Sequence, residues 1–154
     1  MMYEAIDIAN WFIHYNETKR DLFDEDTDEI SNLKLQKLLY YAQSAFLAIK
    51  EEKLFDEDIE AWRHGPVVPK VYEEYRKYGS SGITEYDLDI VRKIEKDEET
   101  RDILANVYEL FGEYSAWGLR NLTHSEEPWK TTIQNQVISC SKMAKTFKEK
   151  YLEN

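Results

Sequence analysis

The chain has one cysteine, Cys140, so its own residues can form no internal disulfide and no multi-thiolate metal site, a usage that fits a reducing compartment. Glycine and proline number only 5 and 3 among 154 residues. That scarcity leaves no glycine loop to cradle a phosphate and few places where a helix must stop. No apolar run approaches the roughly 20 residues that a spanning helix requires. The first ten residues carry Glu4 and Asp7 where a signal peptide would be basic and then apolar, so the expected location is the cytoplasm, with no membrane partner. Cations are the minority as well: 20 Lys and Arg against 31 Asp and Glu leave a net charge of −11. This sign opposes phosphate and no cationic cluster interrupts it, so no nucleic-acid binding by the protein on its own is expected. A macromolecular partner for so acidic a chain is expected to be basic.

Against these absences stand hydrophobic residues at 42% and aromatics at 14%, too much apolar surface for a disordered chain, while 33% charged residues describe a soluble exterior. One core suffices at this length, and residues 1–154 are expected to form a single domain. Periodicity is mostly helical. Ala5, Ile6, Ala9, Phe12 and Ile13 recur at steps of three and four and predict a first helix over Tyr3 to Tyr15, with Trp11 on its flank. Asn16 to Glu29, dense in Asp and Glu around Leu22 and Phe23, reads as an acidic surface loop. Ser31 is a good N-cap for a helix over about Asn32 to Lys50, whose stripe Leu35, Leu38, Leu39, Ala42, Phe46 and Ile49 marks it as central and buried. Its polar minority, Lys34, Gln36, Lys37 and Gln43, either finds hydrogen-bond partners inside or forms a strip facing out.

Phe55 to Trp62 alternates weakly and allows a short strand. His64-Gly65-Pro66-Val67-Val68-Pro69 then forces a rigid extended turn, and Pro69 opens a helix through Tyr78 that Gly79 stops. Ser80 to Tyr86 reads as a loop, and Asp87 to Lys96 is ambiguous. Asp97 can cap a helix carrying Ile103, Leu104, Val107, Leu110 and Phe111 to Gly112; Ser115 can cap a shorter one through Thr123, and Ser139 a last one with Met143, Phe147 and Tyr151 inward. His124 to Trp129 reads as a second irregular, proline-bearing stretch, and Asn135 to Ile138 as a strand paired with the one before Trp62. The expected fold class is mainly α: a compact single-domain helical fold around a central buried helix at about 32–50, with at most one short β pair.

His14, His64 and His124 share no ligand spacing and no Cys pair or calcium loop joins them, so no metal and no cofactor is expected. No G-x-S-x-G turn occurs, the lone Cys lacks a catalytic signature, and a carboxylate pair cannot be singled out from so many acids; the chain is expected not to be an enzyme. Two stretches stand out instead. Trp62-Arg63-His64-Gly65-Pro66 and His124-Ser125-Glu126-Glu127-Pro128-Trp129 each combine a His, a Pro and a Trp. Large aromatics beside rigid backbone are the material of binding anchors, because little conformational entropy is lost on contact. The plainer alternative is that the Trp rings plug the ends of a helical core and the histidines bond nearby carbonyls.

At these residues the sequence resembles a known family. Leu33-Lys-Leu-Gln-Lys-Leu-Leu-Tyr-Tyr-Ala-Gln43, then Leu54-Phe-Asp, Ile59-Glu-Ala-Trp62, Gly65-Pro-Val67 with Val71-Tyr72, and later Leu122-Thr-His124 with Pro128-Trp129, are similar to the SocA-like antitoxins, the Panacea domain of GepA-type phage-associated proteins. Departures are small: Ser-Ala-Phe follows Gln43 where a Gly or an aromatic often stands, and an acidic loop occupies Asp21 to Glu29. The resemblance implies a mainly α fold and an antitoxin encoded beside the gene of a protein toxin, which it neutralises by direct binding. It also implies an alternative, since one similar protein is a proteolytic adaptor that delivers its toxin to a cytoplasmic protease; a small-ligand protein or enzyme with a pocket of Trp62, His64, His124 and Trp129 is the third reading. The chain reads as the domain without a DNA-binding extension, which argues against control of its own promoter. The partner-facing surface is expected to combine Lys34, Lys37 and Tyr41 of the central helix with Trp62, His64, Gly65, Pro66, Tyr72, His124, Pro128 and Trp129.

Overall fold

The structure, a computed structural model, describes residues 2–23 and 27–152. Helix α1 (Ala5–Phe23) does not stop at Tyr15 but runs on through much of the expected acidic loop. Two features of the sequence carry it on. Glu17 and Arg20 pair one turn apart at 2.9 Å. Asn16 turns inward, where its amide donates to the carbonyl of Asp28 at 2.9 Å and accepts from the Tyr108 hydroxyl at 2.6 Å. Residues 24–26, the middle of that expected loop, lie outside the described residues.

Strand β1 (Ile30–Ser31) leads into α2 (Asn32–Lys50), which has the expected bounds because Ser31 caps it, its hydroxyl accepting from the Lys34 amide at 3.2 Å. Every residue of α2 from Leu35 to Phe46 is buried, with Ile49 at the end of the stripe exposed. The helix is enclosed by α1 and by α5 (Glu98–Phe111), α6 (Ala116–Ser125) and α8 (Cys140–Phe147). Each large apolar side chain it buries contributes roughly 1.5–3 kcal/mol, which makes α2 the axis of the core.

After α2 a hairpin forms from β2 (Glu60–Trp62) and β3 (Gly65–Val67), with Glu60 opposite Val67 and Trp62 opposite Gly65. The strand expected over Asn135 to Ile138 is instead a turn, because Asn135 takes φ 71°, but the segment does meet the other side of β2 through one antiparallel bridge, Glu60 opposite Val137. Asn135 donates to the carbonyl of Ala61, the amide of Ala61 to Gln136, and Ile138 to Ile59, at 2.7 to 2.9 Å. Helix α3 (Pro69–Tyr75) follows and tightens into a 3-10 turn through Tyr78 before Gly79. The expected loop beyond it contains β4 (Gly82–Ile83), which pairs with β1, so there are two short pairs rather than one. The reason is long-range: Ile30 and Ile83 are isolated apolar residues in polar surroundings, and pairing buries both completely.

The ambiguous stretch before Lys96 is a helix, α4 (Leu88–Glu95), capped by Asp87. Asp97, Ser115 and Ser139 cap α5, α6 and α8 as their positions predict. The expected irregular stretch from His124 to Trp129 is largely helical. His124 belongs to α6, Trp129 to the short α7 (Glu127–Lys130), and Glu126 between them is extended, with Pro128 admitted in the first turn of α7. Beyond α8 the chain continues as a π-helical turn, Lys148–Leu152. The protein is thus mainly α, and among the described residues no helix is long and apolar enough to cross a membrane.

Candidate interaction surface

The hairpin is fastened to α2 from one side. Gln36 is fully buried, and its side-chain oxygen accepts from the Val68 amide at 2.9 Å while its nitrogen donates to Asn32 at 2.9 Å. Asn32 in turn donates to the carbonyl of Tyr72 at 3.1 Å. Gln43 does the same for the preceding loop, accepting from Leu54 and donating to Phe55, both at 2.7 Å. Asn32, Gln36 and Gln43 are therefore inside because they satisfy the backbone of the segments that wrap α2.

From the other side the hairpin is braced by α6 and α7. The Trp129 indole donates to the carbonyl of Trp62 at 2.8 Å, and the His124 Nε2 lies 3.0 Å from the carbonyl of Arg63. The two rings stack with centroids 3.7 Å apart. The two stretches singled out in the sequence thus meet, although 61 residues separate Arg63 from His124. Gly65 sits at φ 126°, and a Cβ there would lie 3.2 Å from both Lys37 Cε and Thr123 Oγ1, so only glycine fits the turn between them. Trp62 meets the ring of Tyr72 edge-on at 5.1 Å and donates to Glu60 at 2.9 Å.

The electrostatics behind this edge are unusual for an acidic protein. Lys37 is 2% exposed and its ammonium donates to the carbonyl of Leu33 at 3.2 Å. Burial, followed by the nearby Arg120 charge, pushes its pKa down to about 8. His124 has carbonyls at both ring nitrogens, Arg120 at 2.7 Å and Arg63 at 3.0 Å, and only an imidazolium could donate to both. Burial outweighs that preference and, with the charges of Arg120 and Lys37, holds its pKa below the ordinary histidine value.

Lys37 and Tyr41, expected on an outward strip, lie inside, because helices pack around α2 on nearly every side. Tyr41 is 1% exposed, stacks on Phe111 at 3.8 Å, and donates to Glu126 at 2.8 Å. Glu126, itself buried, also accepts from Lys150 at 2.9 Å and from the Tyr151 hydroxyl at 2.5 Å, so it fastens the π-helical turn to the core. Nothing in the spacing of the sequence singles out Glu126, whose partners come from 85 residues before it and 24 and 25 after it. Lys34 is only partly buried and lies apart from the hairpin, its ammonium 2.5 Å from the Gly112 carbonyl. Gly65, Pro66 and Pro128 are buried and shape the backbone; Trp62, Tyr72, His124 and Trp129 are half-buried, and His64 is exposed. Arg63, which the expected set leaves out, is exposed beside His64. Chemically, the arrangement presents a rigid edge with Arg63 and His64 outward and aromatic faces behind them.

Comparison with known proteins falls on this same region. The family model described as antitoxin SocA-like, Panacea domain, matches residues 35–130, more than half of the chain, taking in α2, the hairpin and the α6–α7 brace. The antitoxin SocA of Caulobacter vibrioides (strain NA1000 / CB15N) is 35% identical over 109 residues, a stretch covering 65% of this chain and 58% of that protein. The chain thus spans less than two thirds of the length of that relative. No solved structure matches. With the family's model laid over the core helix and the braced hairpin alike, this chain belongs to the antitoxin SocA-like, Panacea domain family.

Proposed function

We propose that this protein is an antitoxin that neutralises a protein toxin by direct contact, through the edge formed by the β2–β3 hairpin and the α6–α7 brace, with no chemistry of its own. The observation that carries this reading is the brace: the Trp129 indole donates to the Trp62 carbonyl and the His124 ring, stacked on Trp129, lies against the Arg63 carbonyl, which fixes the hairpin tip for recognition. Membership in a family described as antitoxin SocA-like, and the antitoxin name of the Caulobacter relative, supply the class of partner. On this reading Arg63 and His64 are contact residues, Trp62 and Tyr72 give an aromatic face, His124, Trp129 and Pro128 position them, and Gly65, Pro66, Lys37 and Tyr41 act from beneath.

A complex of this kind buries about 800 Å² per partner. The net charge of −11 favours encounter with a basic toxin and disfavours nucleic acid, so the partner this reading calls for is a basic toxin met in the cytoplasm. The experiment is co-expression with the product of the adjacent gene. Growth is expected to be rescued while the toxin accumulates in full amount alongside the antitoxin. Rescue with disappearance of the toxin would instead mark delivery to a protease, and absence of rescue would remove the antitoxin reading.

A further inference from the structure

The side chain of Glu126 is 1% exposed, and a carboxylate persists in such a place only where donors and a counter-ion reach it. Three donors do. The Tyr41 hydroxyl comes from α2 at 2.8 Å, whereas the Lys150 ammonium at 2.9 Å and the Tyr151 hydroxyl at 2.5 Å both come from the π-helical turn Lys148–Leu152. Lys150 is the one cation paired with Glu126 among the described residues. Burial, and then the Glu126 carboxylate, raise both tyrosine hydroxyls above their ordinary range, so both stay protonated and donate. The turn therefore supplies the counter-charge and two of the three hydrogen bonds.

Little else secures the turn. Lys148, Glu149 and Lys150 are exposed, and beyond the bonds to Glu126 it is the Tyr151 ring that holds it, against Phe111 at 5.1 Å and Phe147 at 5.0 Å. Turns of this π-helical kind are rare and occur frequently at functional sites. On its other side Glu126 is the extended residue that joins α6 to α7, at φ −97° and ψ 145°, and its carbonyl accepts from the Lys130 amide at 3.0 Å. With four residues α7 is too short to stand as a helix by itself, so its place depends on its anchors. One is the Glu126 side chain at its start, and another is the Trp129 indole on the Trp62 carbonyl. The same buried carboxylate thus meets the turn on one side and the hairpin brace on the other.

We propose that Glu126 is a positioning residue through which the π-helical turn latches the hairpin edge: docked, Lys150 and Tyr151 keep the Glu126 carboxylate inside and Trp129 on the Trp62 carbonyl. Released, the turn leaves behind a charge that cannot remain buried. The α6–α7 junction then follows that charge toward water, and the brace lets go of the hairpin. Coupling of this kind is reciprocal, so a partner that grips the turn loosens the edge and a partner seated on the edge tightens the turn. The latch belongs to the chain alone; its bearing on a toxin rests on the antitoxin reading given above.

The test is hydrogen exchange of the full, 15N-labelled chain, comparing the unaltered protein with K150M/Y151F, which removes both donors of the turn and keeps its aromatic packing. Protection of the Trp129 indole N–H is expected to fall about tenfold or more, while the amides of α1 and α4 keep theirs. Adding Glu126→Gln to that variant takes away the stranded charge and is expected to return the indole to within about threefold of the unaltered chain, a rescue that lost packing alone would not allow. An undiminished indole in K150M/Y151F, equal loss throughout the chain, or no recovery with Glu126→Gln would each overturn the proposal. Toxin affinity is read separately on the same variants and is expected to fall and recover with the indole. An affinity that stays constant while the indole responds would count against the edge as the toxin's site and leave the latch in place.

Discussion

Lys37 buries an ammonium whose hydrogen bond is to a carbonyl and whose charged neighbour is another cation, Arg120. Its folded pKa of about 8 lies below the ordinary 10.5, so the unfolded chain holds the proton more firmly. The sign follows: the destabilisation is complete below about pH 8 and is relieved as pH rises from there toward 10.5. Lys37→Met, similar in length and without charge, is expected to raise stability at pH 7 by about 1 to 3 kcal/mol. Thermal melts of both proteins from pH 7 to 10 check this, and the advantage of the variant should shrink across that range; a constant difference would mean that the ammonium is not desolvated. His124→Ala removes the ring's contacts with the Arg120 and Arg63 carbonyls and the stack on Trp129. It is expected to lower stability by about 1 to 3 kcal/mol and to weaken toxin binding through a loosened hairpin. Unchanged stability with weaker binding would instead make His124 a direct contact.

At the scale of elements, Gln36 of α2 holds the backbone just beyond the hairpin, reaching the Val68 amide. Gln36→Ala strands that amide and the side-chain oxygen of Asn32, and a loss of about 1 to 3 kcal/mol is expected. Amide exchange locates the effect: Val68 should lose protection far more than the amides of α5, whereas uniform loss would show that the hairpin and the core open together. The helices with a clear cap and stripe were legible because those signals are local, whereas α4 and the four-residue α7 carry too short a pattern to show themselves. Ser31, Asp97, Ser115 and Ser139 cap where their side chains say they should, and the stripe from Leu35 to Phe46 identifies the buried helix without any knowledge of its neighbours. What was not legible is what depends on distant partners. Asn16 looks like the start of a loop until Tyr108 and the Asp28 carbonyl are beside it, and the β1–β4 pair exists because Ile30 and Ile83 can hide together. The same holds for the site. Sequence pattern drew attention to both His-Pro-Trp stretches, but periodicity treats a polar residue as outward, and Lys37 and Tyr41 are inside because the carbonyl of Leu33 and the carboxylate of Glu126 receive them there.

On the scale of the whole molecule, a net charge of −11 coexists with a hairpin edge that carries cations, Arg63 outward and Arg120 and Lys37 behind it. The long-range field governs encounter with a partner and the local edge governs fit, so the two act at different distances and need not share a sign. The central claim is direct binding of a toxin at that edge. It is tested most directly by mixing the purified chain with the purified product of the adjacent gene and measuring the dissociation constant for the unaltered protein and for Arg63→Glu. A stable complex is predicted, weakened at least about tenfold by a reversal that leaves the melting temperature in place, since Arg63 is exposed and makes its hydrogen bond through its backbone carbonyl. No complex, or a complex that Arg63→Glu leaves untouched, would contradict it.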